Sequence, residues 1–226
     1  SVVEGMDLEA LRQGVTWSFE SFEEYLGALR RAKPWLNMAI FAQHSTIRTS
    51  VMGEEASQRA ASSEEIEAMR IEVARALRAG AIGFASSFSP NHSGWQGKPM
   101  PSTLADLGEL QALIEVLGME KRGVFMMATG SRVSPEDLAA LHQRTGARMF
   151  MSTVLTMHNE DKPGLGLSYY ERVAQLQDQG HEVYIQTSCQ PLCFEFNLLD
   201  PYLLYSHPSF ASIKSAHAKG KYDLYQ

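Results

Sequence analysis

The sequence has few cysteines and lacks the short motifs that mark the commonest metal, nucleophile and phosphate sites. The only cysteines are Cys189 and Cys193, and their spacing has no second pair that would complete a zinc site. We therefore expect plain buried thiols. Also absent are His-x-His, His-Glu-x-x-His, Gly-x-Ser-x-Gly, a phosphate-binding loop and Gly-x-Gly-x-x-Gly. These absences mean that residue chemistry alone does not indicate a reaction.

Runs of one charge and long hydrophobic segments are missing as well. The 226 residues carry a formal net charge of −6 and no basic run, so neither nucleic acid nor a membrane is an expected partner. No apolar stretch approaches the length of a membrane span, and the first residues lack the pattern of a signal peptide. We expect a cytoplasmic protein with one domain over residues 1–226, either processed or part of a longer chain. The oligomeric state is not indicated.

What the sequence does contain is an alternation of helix signals and short apolar segments. Capping signals occur at Ser21, Ser62, Ser134 and Ser168, and glycines at 80, 118, 146 and 180 are predicted to end helices. The apolar segments are predicted to be strands at residues 36–42, 81–85, 123–129, 148–155 and 182–188. Residues 43–61 are predicted to form a loop.

This alternation permits either a closed barrel or an open doubly wound sheet. The stop glycines lie roughly 30–40 residues apart, close to the ~31 residues per unit of an eightfold barrel. We predict an α/β fold of the (β/α)8 TIM-barrel type that is incomplete in this chain, because five strands are found where a barrel needs eight. An unrelated open-sheet α/β protein is the alternative.

Polar residues follow each predicted strand, and in a barrel such positions converge on one mouth. For any single hydroxyl, however, capping a helix or closing a turn is the more frequent role. His44 has three interpretations: a metal ligand, a base, or a residue hydrogen-bonded beneath the barrel. His92 is either a site residue or an exposed surface histidine. His158, beside three other polar residues, suggests either a metal cluster or, more simply, a solvated loop.

Two segments resemble a known family. The first is Asn37 to Arg48, NMAIFAQHSTIR, followed by Val51-Met52-Gly53. The second runs from the helix at residues 63–69 into the segment at residues 79–87. Residues 18–29 also resemble the family. Over roughly residues 15–130 the chain resembles the D-aminoacylases, which are N-acyl-D-amino-acid deacylases of the amidohydrolase superfamily.

The resemblance implies a zinc-centred barrel that hydrolyses an amide. In the family, zinc polarises the acyl carbonyl and activates water, and a late aspartate transfers the proton. Its first-strand His-x-His and late aspartate are expected outside residues 1–226. Where the family has ligand histidines, this chain has Met126 to Gly130 and Ser152-Thr153, and Pro90 stands at the family's tyrosine. These departures indicate either an altered ligand set or a barrel that has lost its activity.

We therefore predict a metal-dependent hydrolase that removes the acyl group from an N-acyl-D-amino acid or a similar small amide. Ser87, His92, Ser152 and Gln186 are predicted to bind the substrate, and His44 to lie at the metal. The cofactor implied by the family is zinc. The alternative is a non-catalytic, degenerate barrel that acts as a binding or scaffold module.

Overall fold

The structure, a computed structural model, describes residues 8–89, 92, 98–128, 132–152, 154, 163–189, 209 and 212. Within these residues the helices are α1 (Leu8–Gly14), α2 (Phe22–Ala32), α3 (His44–Met52), α4 (Ser63–Ala79), α5 (Leu107–Glu120), α6 (Pro135–Thr145) and α7 (Leu165–Asp178). The strands are β1 (Phe41–Gln43), β2 (Gly83–Ser87), β3 (Val124–Ala128), β4 (Arg148–Ser152) and β5 (Val183–Ile185). Two short 3-10 helices lie at Gly53–Ser57 and Pro101–Leu104. Within the same ranges, no helix is both long and apolar enough to cross a membrane.

The five strands form one parallel sheet in the order β1-β2-β3-β4-β5. Each strand therefore pairs with its neighbours in sequence, as in a barrel wall, whereas a doubly wound sheet reverses its order at a switch point. This order confirms the prediction of an incomplete barrel-type α/β fold. For the described strands it rules out the open-sheet alternative.

The two faces of the sheet have different surroundings. One face packs against the helices, and its central row consists of the paired residues Phe84, Phe125, Met149 and Val183, all fully buried. Because side chains alternate along a strand, the intervening residues point to the opposite face. There Met126, Phe150 and Tyr184 are only half-buried. We call these the helix face and the interior face.

Most helix ends follow the predicted local chemistry. Ser21, Ser62 and Ser134 each accept a hydrogen bond from the third amide of the helix and complete a capping box with Glu24, Glu65 and Asp137. Gly80 ends α4 with a φ of 121°, a conformation that residues with a Cβ rarely adopt. These capping predictions are confirmed.

Other predicted boundaries are wrong. The capping box at Ser168 does not form, because α7 begins earlier, after Gly164, and the Ser168 hydroxyl donates to the Leu165 carbonyl instead. Gly118 does not end α5, which continues to Glu120. A Cβ at Gly118 would lie 2.7 Å from the carbonyl oxygen of Thr145, so this glycine allows α5 to approach α6 closely.

The loop predicted at residues 43–61 is also wrong, since it contains α3 and a 3-10 helix. The inward side of α3 carries His44, Ile47, Arg48 and Met52 at helical spacing. Two of these four residues are polar, which interrupted the apolar period expected of a helix. The first strand is shorter than predicted, and β2 extends two residues further, so that Ser86 and Ser87 lie within it. Cys189 is exposed, contrary to the expected burial, and Cys193 lies outside the described residues.

At the start of β2, Gly83 allows β2 and β3 to approach each other closely. A Cβ at this position would lie 1.9 Å from the carbonyl oxygen of Val124, a separation that requires β2 and β3 to move apart. We expect Gly83→Ala to lower the free energy of unfolding by about 1–3 kcal/mol or more. Denaturant unfolding of the whole protein measures this loss. Gly14→Ala is the matched control, because nothing lies within 4 Å of its added Cβ; equal losses for the two variants would contradict the prediction.

Candidate substrate-binding site

Three of the four predicted substrate-binding residues lie together on the interior face, at the carboxyl end of the strands. Ser87 pairs with Ala128 and Ala128 with Ser152, so the two serines occupy one row across β2, β3 and β4. Gln186 follows β5 directly. Its amide donates to the Met151 carbonyl at 2.8 Å, and its carbonyl accepts from Val154 at 3.1 Å. Its backbone therefore lies beside Ser152 and extends the row, and its side chain is exposed.

The fourth predicted residue, His92, contacts Ser87 of this row. The Ser87 Oγ and His92 Nδ1 atoms lie 2.7 Å apart, and the Ser89 amide donates to the same Oγ at 3.2 Å. His92 is half-buried rather than fully exposed. The structure thus places Ser87, Ser152 and Gln186 in one row and His92 in contact with Ser87. We call Ser87, His92, Ser152 and Gln186 the mouth row.

His44 lies elsewhere, on the helix face, and is fully buried. Its Nδ1 is 2.8 Å from Ser86 Oγ, and its Nε2 is 2.7 Å from Glu109 Oε1. Glu109 also accepts a hydrogen bond from Arg48, and the side chains of both residues are at most 1% exposed. Arg48 in turn donates to the carbonyl oxygen of Arg59 at 2.8 Å. A continuous hydrogen-bonded chain therefore runs from Arg48 through Glu109 and His44 to Ser86.

The charges in this chain follow from burial and contact. Burial by itself would raise the pKa of Glu109, but hydrogen bonds from His44 and Arg48 outweigh it and lower that pKa. Burial lowers the pKa of His44 and outweighs the opposing effect of Glu109. An ionised carboxylate can only accept, so the neutral His44 carries its proton on Nε2. Its Nδ1 then accepts the hydroxyl hydrogen of Ser86.

This arrangement contains the residue types of a nucleophilic triad, but its position argues against that chemistry. A nucleophilic serine needs access to a substrate and a positioned oxyanion donor. Ser86 is 8% exposed and faces the helix layer, and His44 is 1% exposed. The geometry therefore supports the interpretation of His44 as a residue hydrogen-bonded beneath the barrel mouth.

Sequence reasoning missed Glu109 and Arg48, which supply the charges of this chain. Glu109 falls beside the apolar stripe of α5 and looks like a solvent-facing residue. Arg48 lies in the segment predicted to form a loop. The available signal was the spacing of Arg48 four residues after His44, which places both side chains on one side of a helix.

The described residues do not fit a zinc centre. They contain no group of three His, Cys, Asp or Glu side chains that could hold a metal ion. Both ring nitrogens of His44 are occupied by Ser86 and Glu109, so binding a metal there would require breaking one of these bonds. On the interior face, Ser152 and Met126 offer a hydroxyl and a thioether, which are weak ligands for zinc. The predicted metal role of His44 stays a prediction, and the polar group at His158 lies outside the described residues.

Comparison with known proteins gives the class of the fold. The chain superimposes on the crystal structure of N-acyl-D-glutamate deacylase from Bordetella bronchiseptica with a TM-score of 0.60 and 23% identity, covering 76% of this chain and 35% of that one. That structure is described as complexed with zinc and a phosphonate inhibitor. A D-aminoacylase described as defining a novel subset of amidohydrolases gives a TM-score of 0.60 at 24% identity, covering 77% and 34%. The described fold is therefore similar to part of the fold of these two proteins.

Sequence comparison narrows the class. No protein-family model matches the chain. It is 43% identical to D-aminoacylase from Alcaligenes xylosoxydans xylosoxydans over 79 residues, which are 35% of this chain and 16% of that protein. It is 27% identical to N-acyl-D-glutamate deacylase from the same bacterium over 140 residues, 62% and 26% of the two chains. The chain thus spans about a third or less of these proteins. These comparisons support the predicted resemblance to the D-aminoacylase family of amidohydrolases.

Glu109 is expected to be essential for stability, because it is the carboxylate that pairs with the buried Arg48. Removing one partner of a buried ion pair leaves an uncompensated charge and costs about 3–5 kcal/mol. We expect Glu109→Gln to lower the free energy of unfolding by this amount, as measured by urea denaturation. Glu120→Gln is the control, since Glu120 pairs with the exposed Arg78. A similar loss in both variants would show that the buried pair contributes no more to the free energy of unfolding than the exposed pair.

The lowered pKa of His44 predicts that stability falls in mild acid. Between the folded pKa and the ordinary value of about 6.5, the unfolded chain binds a proton that the folded chain does not. The contribution of neutral His44 to the free energy of unfolding is therefore complete above about pH 6.5 and is lost as the pH falls towards the folded pKa of His44. Glutamine at position 44 can donate to Glu109 and accept from Ser86 without titrating. Urea unfolding between pH 5 and 8 should show a shallower pH dependence for His44→Gln; identical slopes would contradict the prediction.

Proposed function

We propose that the whole protein hydrolyses the amide of an N-acyl-D-amino acid or a similar small amide, and that the mouth row binds this substrate. The observation that carries the proposal is the convergence of Ser87, Ser152 and Gln186 on one edge of the parallel sheet. Active sites of such barrels lie at this edge. The sequence relatives that match this chain are deacylases of N-acyl-D-amino acids.

The chemistry of the mouth row suits such a substrate. An N-acyl amino acid presents a carboxylate, a carbonyl oxygen and an amide N–H. The hydroxyls of Ser87 and Ser152 can donate to the oxygens, and the side-chain amide of Gln186 can both donate and accept. One row further from the edge, Met126 and Phe150 lie on the same face and offer apolar contact. A small molecule with a polar head and an acyl group matches this division.

Zinc is the cofactor expected of the whole protein, because the Bordetella deacylase is described as complexed with it. Since the described residues supply no ligand set, we assign them binding and orientation only. The position of Ser87 is constrained, because its hydroxyl contacts His92 and the Ser89 amide. It is therefore well placed to hold a substrate oxygen in one direction.

The test is to make Ser87→Ala and Gln186→Ala separately in the whole protein and measure hydrolysis of a panel of N-acyl-D-amino acids. Each variant should lower kcat/KM by roughly tenfold, since a lost substrate hydrogen bond costs about 0.5–1.5 kcal/mol, or more to a charged group. Melting temperatures should change little. Gln143→Ala is the matched control, because Gln143 is an exposed glutamine on α6 in the helix layer.

Metal analysis of the same preparations separates the outcomes. Tightly bound metal with reduced activity in both variants supports the proposal. Full activity in both variants would overturn the assignment of the mouth row. A whole protein that binds no metal and hydrolyses none of the panel would favour the non-catalytic barrel.

A further inference from the structure

Ser87 and its neighbour Ser86 have opposite environments. Consecutive side chains of a strand point to opposite faces, so Ser87 lies on the interior face and Ser86 on the helix face. A group that fixes Ser86 therefore also fixes the peptide that carries Ser87. The helix layer supplies two such attachments within one residue of the mouth row.

The first attachment is the bond between Ser86 and His44. His44 begins α3 and its other ring nitrogen is held by Glu109 of α5, so the end of β2 is tied to two helices at once. All three side chains are buried. Water therefore does not compete for these hydrogen bonds, which makes the tie directional.

The second attachment acts on Ser87 itself. Ser102 Oγ donates to the Ser87 carbonyl at 2.8 Å, and Ser102 is 2% exposed. Ser45, next to His44 on α3, binds Ser102 twice: its hydroxyl donates to Ser102 Oγ at 3.0 Å and accepts from the Ser102 amide at 3.1 Å. The carbonyl of Ser87 is thus held by a hydroxyl that is itself held at two points.

We propose that Ser102, oriented by Ser45, is a positioning residue that sets the direction of the Ser87 hydroxyl and of His92 in the mouth row. The proposal rests on the proposed function for its substrate but not for its geometry. With the Ser87 carbonyl held by Ser102 and the Ser86 side chain by His44, the peptide between them has little freedom to rotate. The Ser87 hydroxyl, which contacts His92 at 2.7 Å, then meets the substrate in a fixed orientation.

The kinetic test is a double-mutant cycle in the whole protein with an N-acyl-D-amino acid as substrate. Ser102→Ala should raise KM about threefold to tenfold with kcat nearly unchanged, the range of one neutral hydrogen bond. In a Ser87→Ala background the same substitution should have no further effect on KM, because the hydroxyl that Ser102 is proposed to orient has been removed. Ser134→Ala is the matched control: it removes a hydroxyl that caps α6, lowers stability, and has no link to Ser87.

A spectroscopic test uses the ring signals of His92 in histidine-labelled whole protein, assigned with His92→Gln. Ser102→Ala should shift these signals and Ser134→Ala should not. This measurement decides the geometry without any substrate, so it separates the present proposal from the proposed function.

Several results would overturn the inference. Unshifted His92 signals in Ser102→Ala would show that Ser102 does not orient the pair. An equal rise in KM in both backgrounds, or from Ser134→Ala, would show a general structural effect. If Ser87→Ala leaves KM unchanged while Ser102→Ala shifts His92, the anchoring stands and the proposed substrate site fails.

Discussion

The interaction on which the described part of the barrel depends is the buried carboxylate of Glu109, held between Arg48 and His44. Removing ionised groups from water is costly, and attraction compensates for that cost only when the geometry is close and the remaining donors are satisfied. Here each carboxylate oxygen has its own donor and Arg48 reaches a backbone carbonyl beyond, while the buried Nε of Arg48 has no hydrogen-bond partner among the described residues. The arrangement therefore tolerates one packing of α3 and α5 against β2 and penalises alternatives that would separate the charges.

The hydrogen bonds on the helix face also bear on the interior face of the sheet. The alternation of side chains means that a polar anchor and a binding residue can be consecutive, as Ser86 and Ser87 are. Ser86 is buried in the helix layer, whereas Ser87 faces the mouth of the barrel. A barrel can in this way keep a rigid scaffold and a binding site within two residues of sequence.

The sequence was most informative where local chemistry decides the structure. Ser21, Ser62 and Ser134 could be recognised as helix caps, because a capping box needs only residues three positions apart. α3 could not be recognised, because its inward residues His44 and Arg48 are polar and become favourable only when Glu109 arrives from α5, sixty residues later. The mouth row could be grouped because parallel strands end at one edge. The anchoring role of Ser86 could not be predicted, since its partner His44 comes from α3 and is itself held by Glu109 of α5.

The same separation of faces explains why the chain resembles the D-aminoacylases in its scaffold and departs from them at the expected metal ligands. The segments that resemble the D-aminoacylases include His44, Arg48 and Ser86, which belong to the buried chain on the helix face. The resemblance places the family's ligand histidines within residues 126–130 and 152–153, and of these Met126 and Ser152 lie on the interior face. A hydrogen-bonded scaffold constrains its residues whether or not a metal is present, because its loss exposes an unpaired charge. The described residues of the interior face carry no such buried ion pair, so the fold can be retained while the ligand set changes.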